Sequence, residues 1–125
     1  GQIKDQPPEL YLVYPQGNYI RPADSKPYLV IGEVKYGKPI LDRVITPKVS
    51  IGDASRCALI SMDSTLKSDL TVGPPIDFAV IKKDEIKIAS LKWLNMNDPE
   101  FSKVCNQWSQ GIFKIFDSFQ RFDWE

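Results

Sequence analysis

The sequence predicts one α+β domain over residues 1–125, in which helices pack on a sheet. The main observation is the segment 50–81, which has the pattern of a capped helix, a tight turn and a buried strand. Ser50 is a favoured N-cap residue, and Asp53 follows three positions later, as in a capping box. The nearly unbroken apolar run of Ile76, Phe78, Ala79, Val80 and Ile81 is typical of a strand covered on both faces. A helix followed directly by such a strand indicates layers of helix and sheet.

The helix that begins at Ser50 has an apolar stripe at four-residue spacing, formed by Ala54, Ala58, Met62 and Leu66. The segment 69–75 is expected to end it, because Gly73 tolerates a positive φ and two prolines follow. Asp69 is therefore expected at the turn between the helix end and the strand start.

Three short strands and one helix are expected before this segment. Residues 10–14 and 19–20 predict a hairpin, and residues 28–31 predict a buried strand. Residues 34–45 predict a helix with Pro39 in its first turn, where the missing N–H costs little. Thr46 and Pro47 end this helix.

A hairpin and a long helix are expected after it. The charged turn 82–85 leads into a return strand that includes Ile86, Ile88 and Leu91. Asp98 is the predicted N-cap of a final helix whose apolar face is expected in the core and consists of Phe101, Val104, Trp108, Ile112, Ile115 and Phe119. Phe122 and Trp124 are expected to pack back on the domain or on a neighbouring subunit. The predicted order is β-β-β-α-α-β-β-α.

Composition excludes several classes of function. Lys plus Arg and Asp plus Glu both number 16, which argues against a nucleic-acid or membrane partner. No segment has the ~20 apolar residues of a membrane span, and no secretory signal is evident, so we expect a cytoplasmic protein. The two cysteines, Cys57 and Cys105, are expected to be buried thiols. With no histidine, the chain holds neither a Ser-His-Asp nor a Cys-His triad, and we expect no metal and no cofactor.

Three stretches give a more specific indication: YPQGNYI, PYLVIGEVKYGKPILDRVI and CALISMDSTLKSDLTVGPPIDFAVI. They resemble the C-terminal half of Anbu (ancestral beta subunit), a bacterial proteasome-like peptidase family. The resemblance implies the αββα sandwich of the N-terminal nucleophile hydrolases. It also implies a nucleophilic threonine at the mature N-terminus, whose own α-amine serves as the base. Subunits of this kind assemble into rings or spirals and cleave peptides or proteins.

The chain begins with Gly1, and its first residues match the middle of such a subunit. We therefore expect no catalytic residue in this chain, because the half that carries the nucleophile is absent from it. The resemblance carries over only a supporting site, formed by Gly32, Glu33, Asp69 and Thr71. Glu33 replaces a serine that other members have, and either Thr71 or Val72 falls where relatives have a second serine.

Simpler roles remain open for these residues. Glu33 can charge a helix start, Asp69 can cap the turn before Gly73, and Lys35 and Lys38 can be solvated helix residues. Three functions follow from the sequence. The first is the C-terminal fragment of a threonine peptidase subunit that pairs with its missing N-terminal half. The second is a non-catalytic interaction module that pairs through its open sheet with identical subunits or a partner. The third, an independent enzyme using Glu33 and Asp69, lacks a third group to complete a mechanism.

Overall fold

The structure, a computed structural model, describes residues 1–85 and 87–125. Its strands form two separate antiparallel pairs, β1 with β2 and β3 with β4. The elements in chain order are β1 (Leu12–Val13), β2 (Tyr19–Ile20), α1 (Lys38–Val44), α2 (Ile51–Ser68), β3 (Ile76–Ile81), β4 (Ile88–Leu94) and α3 (Pro99–Asp117). None of the described helices is long and apolar enough to cross a membrane.

The two long helices begin where the sequence predicts. The Ser50 side chain accepts a hydrogen bond from the Asp53 backbone N–H at 3.0 Å, and its hydroxyl donates to the Asp53 carboxylate at 2.6 Å. Asp98 Oδ1 accepts from the backbone N–H groups of Glu100 and Phe101, both at 3.0 Å. These bonds satisfy N–H groups that the first turn of a helix leaves without an intrahelical partner.

The predicted strand over residues 28–31 is wrong for the described chain, because no neighbouring strand lies beside it to form a ladder. The segment is instead held by α1: the Tyr28 hydroxyl donates to the Asp42 carboxylate, and Lys26 donates to the Asp42 carbonyl. The first strand is also shorter than predicted, and pairs only over Leu12–Val13.

The helix predicted over residues 34–45 begins later, at Lys38. Gly37 is its N-cap, and Pro39 follows in its first turn. A proline inside a helix removes a hydrogen bond and clashes with the preceding turn, so Pro39 prevents the helix from starting at residue 34.

β3 is covered on one face only, so the prediction of a strand buried on both faces is wrong within the described chain. Ile76, Phe78 and Val80 point to the covered side, whereas Asp77, Ala79 and Ile81 are exposed.

The return strand runs over Ile88–Leu94, later than predicted, and Ile86 lies outside the described residues. Of the glycines in the described chain, Gly17 and Gly32 have a positive φ and Gly73 does not, and the Pro74–Pro75 peptide bond is cis.

The core lies between the covered face of the β3–β4 pair and the two long helices. Its buried members are Ile76, Leu94, Phe101 and Cys105, and its partly buried members are Leu59, Met62, Leu66 and Phe78. Met62 and Leu66 therefore confirm half of the predicted stripe on α2, whereas Ala58 is exposed. Cys57 and Cys105 are both buried and free, as expected.

Only the first part of the predicted core face of α3 is in this core. Phe101 is fully buried and Trp108 is half-buried, but Ile112, Ile115 and Phe119 are exposed. The prediction that the whole face is buried is thus wrong for the described chain.

The N-terminus of α1 lies very close to α2. A methyl group added at Gly37 would be 2.3 Å from Ser61 Oγ, 2.9 Å from the Ser61 carbonyl oxygen and 3.0 Å from Thr65 Oγ1. Only glycine fits this contact without a shift of backbone or side chains. This close approach sets the distance between the segment before α1 and the C-terminal half of α2, where the candidate site lies.

Candidate functional site

The first segment of the candidate site is the bend at Gly32 and Glu33. Gly32 has a φ of +81°, a left-handed conformation that strains any residue with a Cβ. Glu33 follows directly and is half-buried. Its Oε1 accepts a hydrogen bond from the backbone N–H of Lys35 at 2.7 Å. The bend therefore fixes the Glu33 carboxylate beside the backbone that leads into α1.

The second segment is the turn that follows α2. Asp69 is the C-cap residue of this helix, and its N–H donates to the Thr65 carbonyl at 2.8 Å. Asp69 Oδ1 accepts two hydrogen bonds from Thr71, one from the backbone N–H at 2.9 Å and one from the hydroxyl at 2.7 Å. These bonds lower the pKa of Asp69, with a smaller contribution from the charge of Lys35, because they favour the ionised carboxylate.

The two segments meet at a cavity of about 150 Å³. Glu33 and Val72 line it on the loop side, Gly37 at the start of α1, and Ser61 and Thr65 on α2. The cavity thus joins the bend at residue 33 to the turn at residue 72 across α2. Thr71 is exposed and is not part of the lining; its hydroxyl donates to Asp69.

The structure therefore brings the four predicted site residues into one region of the fold. Asp69 and Thr71 are directly hydrogen-bonded. Glu33 reaches the same region through the cavity but makes no hydrogen bond to either of them among the described residues. Lys35 is close enough to Asp69 to affect its pKa, and it lies before α1 instead of in a solvated helix.

Sequence reasoning missed two groups of polar residues on α2, one that lines this cavity and one on the side of the helix that faces α3. Ser61 and Thr65 are buried on α2, and the Thr65 hydroxyl donates to the Ser61 carbonyl at 3.0 Å. Asp63 is 1% exposed, accepts from Lys67 Nζ at 2.8 Å, and its Oδ1 accepts no hydrogen bond from the described residues. The i, i+4 spacing of Ser61 with Thr65 and of Asp63 with Lys67 was the available signal, since it places each pair on one side of a helix.

This arrangement can hold a cationic or hydroxyl group, but it has no nucleophile with a base. Asp69 is kept ionised, and the Thr71 hydroxyl acts as a donor to it. A nucleophilic hydroxyl needs a neighbouring group that accepts its proton at neutral pH. An ionised carboxylate with a lowered pKa is a poor base, so the site is suited to orienting and stabilising a group brought from elsewhere. Among residues 1–85 and 87–125, no cluster of three metal-ligating side chains occurs.

Comparison with solved structures gives close matches. Anbu from Hyphomicrobium sp. strain MC1 is 41% identical to this chain, with a TM-score of 0.91. The match covers 98% of this chain and 53% of the Hyphomicrobium chain. Anbu from Yersinia bercovieri is 39% identical, with a TM-score of 0.93, and the match covers 98% of this chain and 52% of the Yersinia chain. A structure described as the helical assembly of the Anbu complex from Pseudomonas aeruginosa is 41% identical, with a TM-score of 0.89. The match covers 97% of this chain and 50% of the Pseudomonas chain. No family model and no curated protein matches the chain.

The fold and these matches define the class of the protein as proteasome-like, with half of the αββα fold of the N-terminal nucleophile hydrolases. Within this class the chain matches solved structures named Anbu (ancestral beta subunit) over nearly all of its length, as the sequence stretches around Gly32 and Asp69 predict. The chain spans about half the length of the Anbu chains that it matches, which agrees with the expected correspondence to their C-terminal half.

Proposed function

We propose that this chain is the C-terminal part of a proteasome-type threonine peptidase subunit and that it supplies the supporting side of the active site. The observation that supports this proposal is the match over 98% of this chain but only 53% of the related chain. The nucleophilic threonine belongs to the part of the subunit that this chain does not include. Alone, this chain is proposed to be inactive.

The chemistry of the site is suited to assisting a threonine nucleophile that lies elsewhere in the subunit. A free α-amine titrates at about pH 8, so part of the population can accept the proton of a threonine hydroxyl at neutral pH. The amine becomes an ammonium when it takes this proton, and an adjacent carboxylate stabilises that charge. Asp69 is suited to this task, because its bonds to Thr71 keep it ionised and fix its orientation. Glu33 would take a similar position on the other side of the site, in place of a hydroxyl residue.

Assembly is part of the same proposal. The Pseudomonas aeruginosa protein is described as a helical assembly. By analogy, we propose that the protein containing this chain forms a homo-oligomer, either a ring or a spiral, in the cytoplasm, and that it cleaves peptides or proteins without a metal or cofactor. We propose no nucleic-acid or membrane partner, since the net charge is zero.

A non-catalytic interaction module is the second candidate, and the bare face of the β3–β4 pair favours it. Ile81, Leu91 and Trp93 are 65%, 49% and 66% exposed on this face. A two-stranded sheet with an apolar open face and two free edges is suited to pairing with another sheet. A partner protein or a second copy could cover it, as could the remaining half of a peptidase subunit.

An intact-mass measurement of the native protein under denaturing conditions tests the proposal. The peptidase proposal expects this sequence within, or together with, a polypeptide that begins with threonine and supplies the other half of the fold. A single species with the mass of this chain, folded and without a threonine-bearing partner, would contradict it and favour the interaction module. Replacing Asp69 with Asn in the active protein is expected to reduce kcat more than it raises KM.

A further inference from the structure

A polar cluster centred on Asp42 lies on α1, next to the candidate site. Asp42 accepts hydrogen bonds at both carboxylate oxygens: the Tyr28 hydroxyl donates to Oδ1, and Lys38 Nζ donates to Oδ2 at 2.7 Å. Its backbone carbonyl accepts a hydrogen bond from Lys26 Nζ. Lys26 and Tyr28 belong to the segment before the bend at Gly32, so Asp42 joins that segment to α1.

Lys38 is the member of this cluster that reaches the candidate site. It lines the cavity of about 150 Å³ together with Glu33. A lysine ammonium is a compact charge on a flexible four-carbon stem. Across a cavity of this size, Lys38 Nζ has two carboxylates within the range of its stem, one on Asp42 and one on Glu33. An ion pair with Lys38 would neutralise the Glu33 carboxylate inside the site.

The structure places Lys38 on Asp42 and leaves Glu33 without a cationic partner. The backbone N–H of Lys35 donates to Glu33 Oε1, and within residues 1–85 and 87–125 no lysine or arginine side chain forms an ion pair with Glu33. The hydrogen bonds from Lys38 and then from Tyr28 hold the pKa of Asp42 below its usual value, because they favour the ionised carboxylate. Asp42 is therefore charged at neutral pH, and Tyr28 fixes its orientation toward Lys38.

The pair of Lys38 and Asp42 affects the location of charge more than it affects stability. Their side chains are 47% and 40% exposed, and ion pairs this exposed contribute little to the free energy of unfolding. The carboxylate that shares the cavity with Lys38 is that of Glu33. A lysine cation beside Glu33 would also repel the ammonium that the threonine forms when its amine takes up a proton.

We propose that Asp42 is a positioning residue, which holds the Lys38 ammonium away from Glu33 so that the Glu33 carboxylate stays available to stabilise the ammonium of the threonine. This proposal rests on the threonine peptidase function proposed above and adds one residue to its supporting site. Tyr28 contributes by orienting the Asp42 carboxylate. Lys38 supplies a charge that the site keeps away from the reacting groups.

Cross-linking of the native protein with a water-soluble carbodiimide tests the contact without any need for activity. The reagent joins a lysine amine to a carboxylate that contacts it, and mass mapping of peptides identifies the two residues. The unsubstituted protein is expected to give a Lys38–Asp42 link. Asp42→Asn keeps an oxygen that accepts from Tyr28 but removes the charge, so the link is expected to move to Glu33. Absence of a Lys38–Glu33 link in this variant would overturn the proposal.

Kinetics of the active protein that carries the N-terminal threonine separates this role from a structural one. Asp42→Asn is expected to lower kcat about tenfold and to leave KM within about twofold, because Glu33 acts on the threonine and not on the substrate. Adding Lys38→Met removes the displaced cation and is expected to restore kcat to within about threefold. Asp53→Asn is the matched control, because it removes a carboxylate of similar exposure, paired with Arg56, outside the cavity lining. It is expected to leave kcat within about twofold.

The double variant distinguishes the possible causes of a fall in kcat. A fall in Asp42→Asn that Lys38→Met does not restore would overturn the proposal, since it would show that Asp42 acts by holding the segment at Tyr28 in place. Both variants are expected to unfold at nearly the same urea concentration as the unsubstituted protein. No turnover by the unsubstituted protein would instead overturn the peptidase function, and the position of the cross-link would still decide whether Asp42 holds Lys38 away from Glu33.

Discussion

Gly37 is the position at which the packing of α1 on α2 is most tightly constrained, so Gly37→Ala is an informative perturbation. The added methyl group would lie 2.3 Å from Ser61 Oγ and 2.9 Å from the Ser61 carbonyl oxygen. The Ser61 side chain can relieve the first contact only by leaving its present rotamer, and the carbonyl belongs to the backbone of α2, so the N-terminus of α1 also has to move outward. Displacements of this kind in packed regions cost about 1–3 kcal/mol.

A gain of about 0.4–1 kcal/mol partly offsets this cost, because alanine restricts the unfolded chain and the φ of Gly37 suits any residue. The net expectation is a loss of about 1–2 kcal/mol in the free energy of unfolding, measured by urea denaturation followed by circular dichroism. Gly111→Ala is the matched control. The same substitution there meets no atom within 4 Å in the middle of α3 and is expected to stabilise by about 0.5–1 kcal/mol.

The origin of the loss can be tested with Ser61→Ala in the Gly37→Ala background. Removing the hydroxyl removes the nearer of the two contacts, so the double variant is expected to recover about 0.5–1 kcal/mol relative to additive effects. If Gly37→Ala stabilises the protein as much as Gly111→Ala does, the close contact between α1 and α2 is refuted. The distance between the segment before α1 and the C-terminal half of α2 would then be wrong as well.

Three further predictions follow. Gly32→Ala is expected to lose about 1 kcal/mol of stability in urea denaturation, because its φ of +81° strains a residue with a Cβ; an unchanged midpoint would argue against this bend. Asp98→Ala is expected to lose about 1 kcal/mol in the same assay, since two N–H groups of α3 lose their acceptor. Burial, aided by Asp63, raises the pKa of Cys105 from 9.0 to about 11. The neutral thiol therefore makes its full contribution to the free energy of unfolding below pH 9. As the pH rises towards 11, up to about 2–3 kcal/mol of this contribution is lost. Comparing urea midpoints at pH 8 and 10.5 checks this, and a Cys105→Ala variant with an equal alkaline loss would contradict it.

The sequence was a reliable guide wherever local interactions decide the structure. The starts of α2 and α3 follow from the capping side chains of Ser50 and Asp98, which act within three residues. Pro39 lies in the first turn of α1, as the sequence predicts, but the helix begins at Lys38 and not at residue 34. A proline restricts the residues before it, which explains the later start.

The sequence was a poorer guide where a distant partner decides the structure. Residues 28–31 have strand composition, yet a strand needs a neighbour to complete its hydrogen bonds, and local composition does not reveal which neighbour is present. The same holds for β3: its apolar run is appropriate to a strand covered on both faces, but the described chain covers one. Both segments have the composition of buried strands, and this chain forms half of the αββα sandwich.

The candidate site was predicted from resemblance and not from spacing. Nothing in the local sequence links Glu33 to Asp69, which lie 36 positions apart; the contact at Gly37 and the turn after α2 bring them to one region. Ser61 and Thr65 were missed because small polar residues within a helix are ordinarily attributed to a solvated face. Their burial follows from the absence of a side chain at Gly37, a relation between two elements that no single segment reveals.

We propose that this chain supplies the supporting half of a threonine peptidase site and no nucleophile. The most direct measurement is the hydrolysis rate of a fluorogenic peptide by this chain alone and after addition of the preceding half of the subunit with a free N-terminal threonine. We expect no turnover from this chain alone. After addition of the preceding half we expect turnover, at a rate that falls when Asp69 is replaced with Asn. Turnover by this chain alone, after removal of every other polypeptide, would contradict the claim.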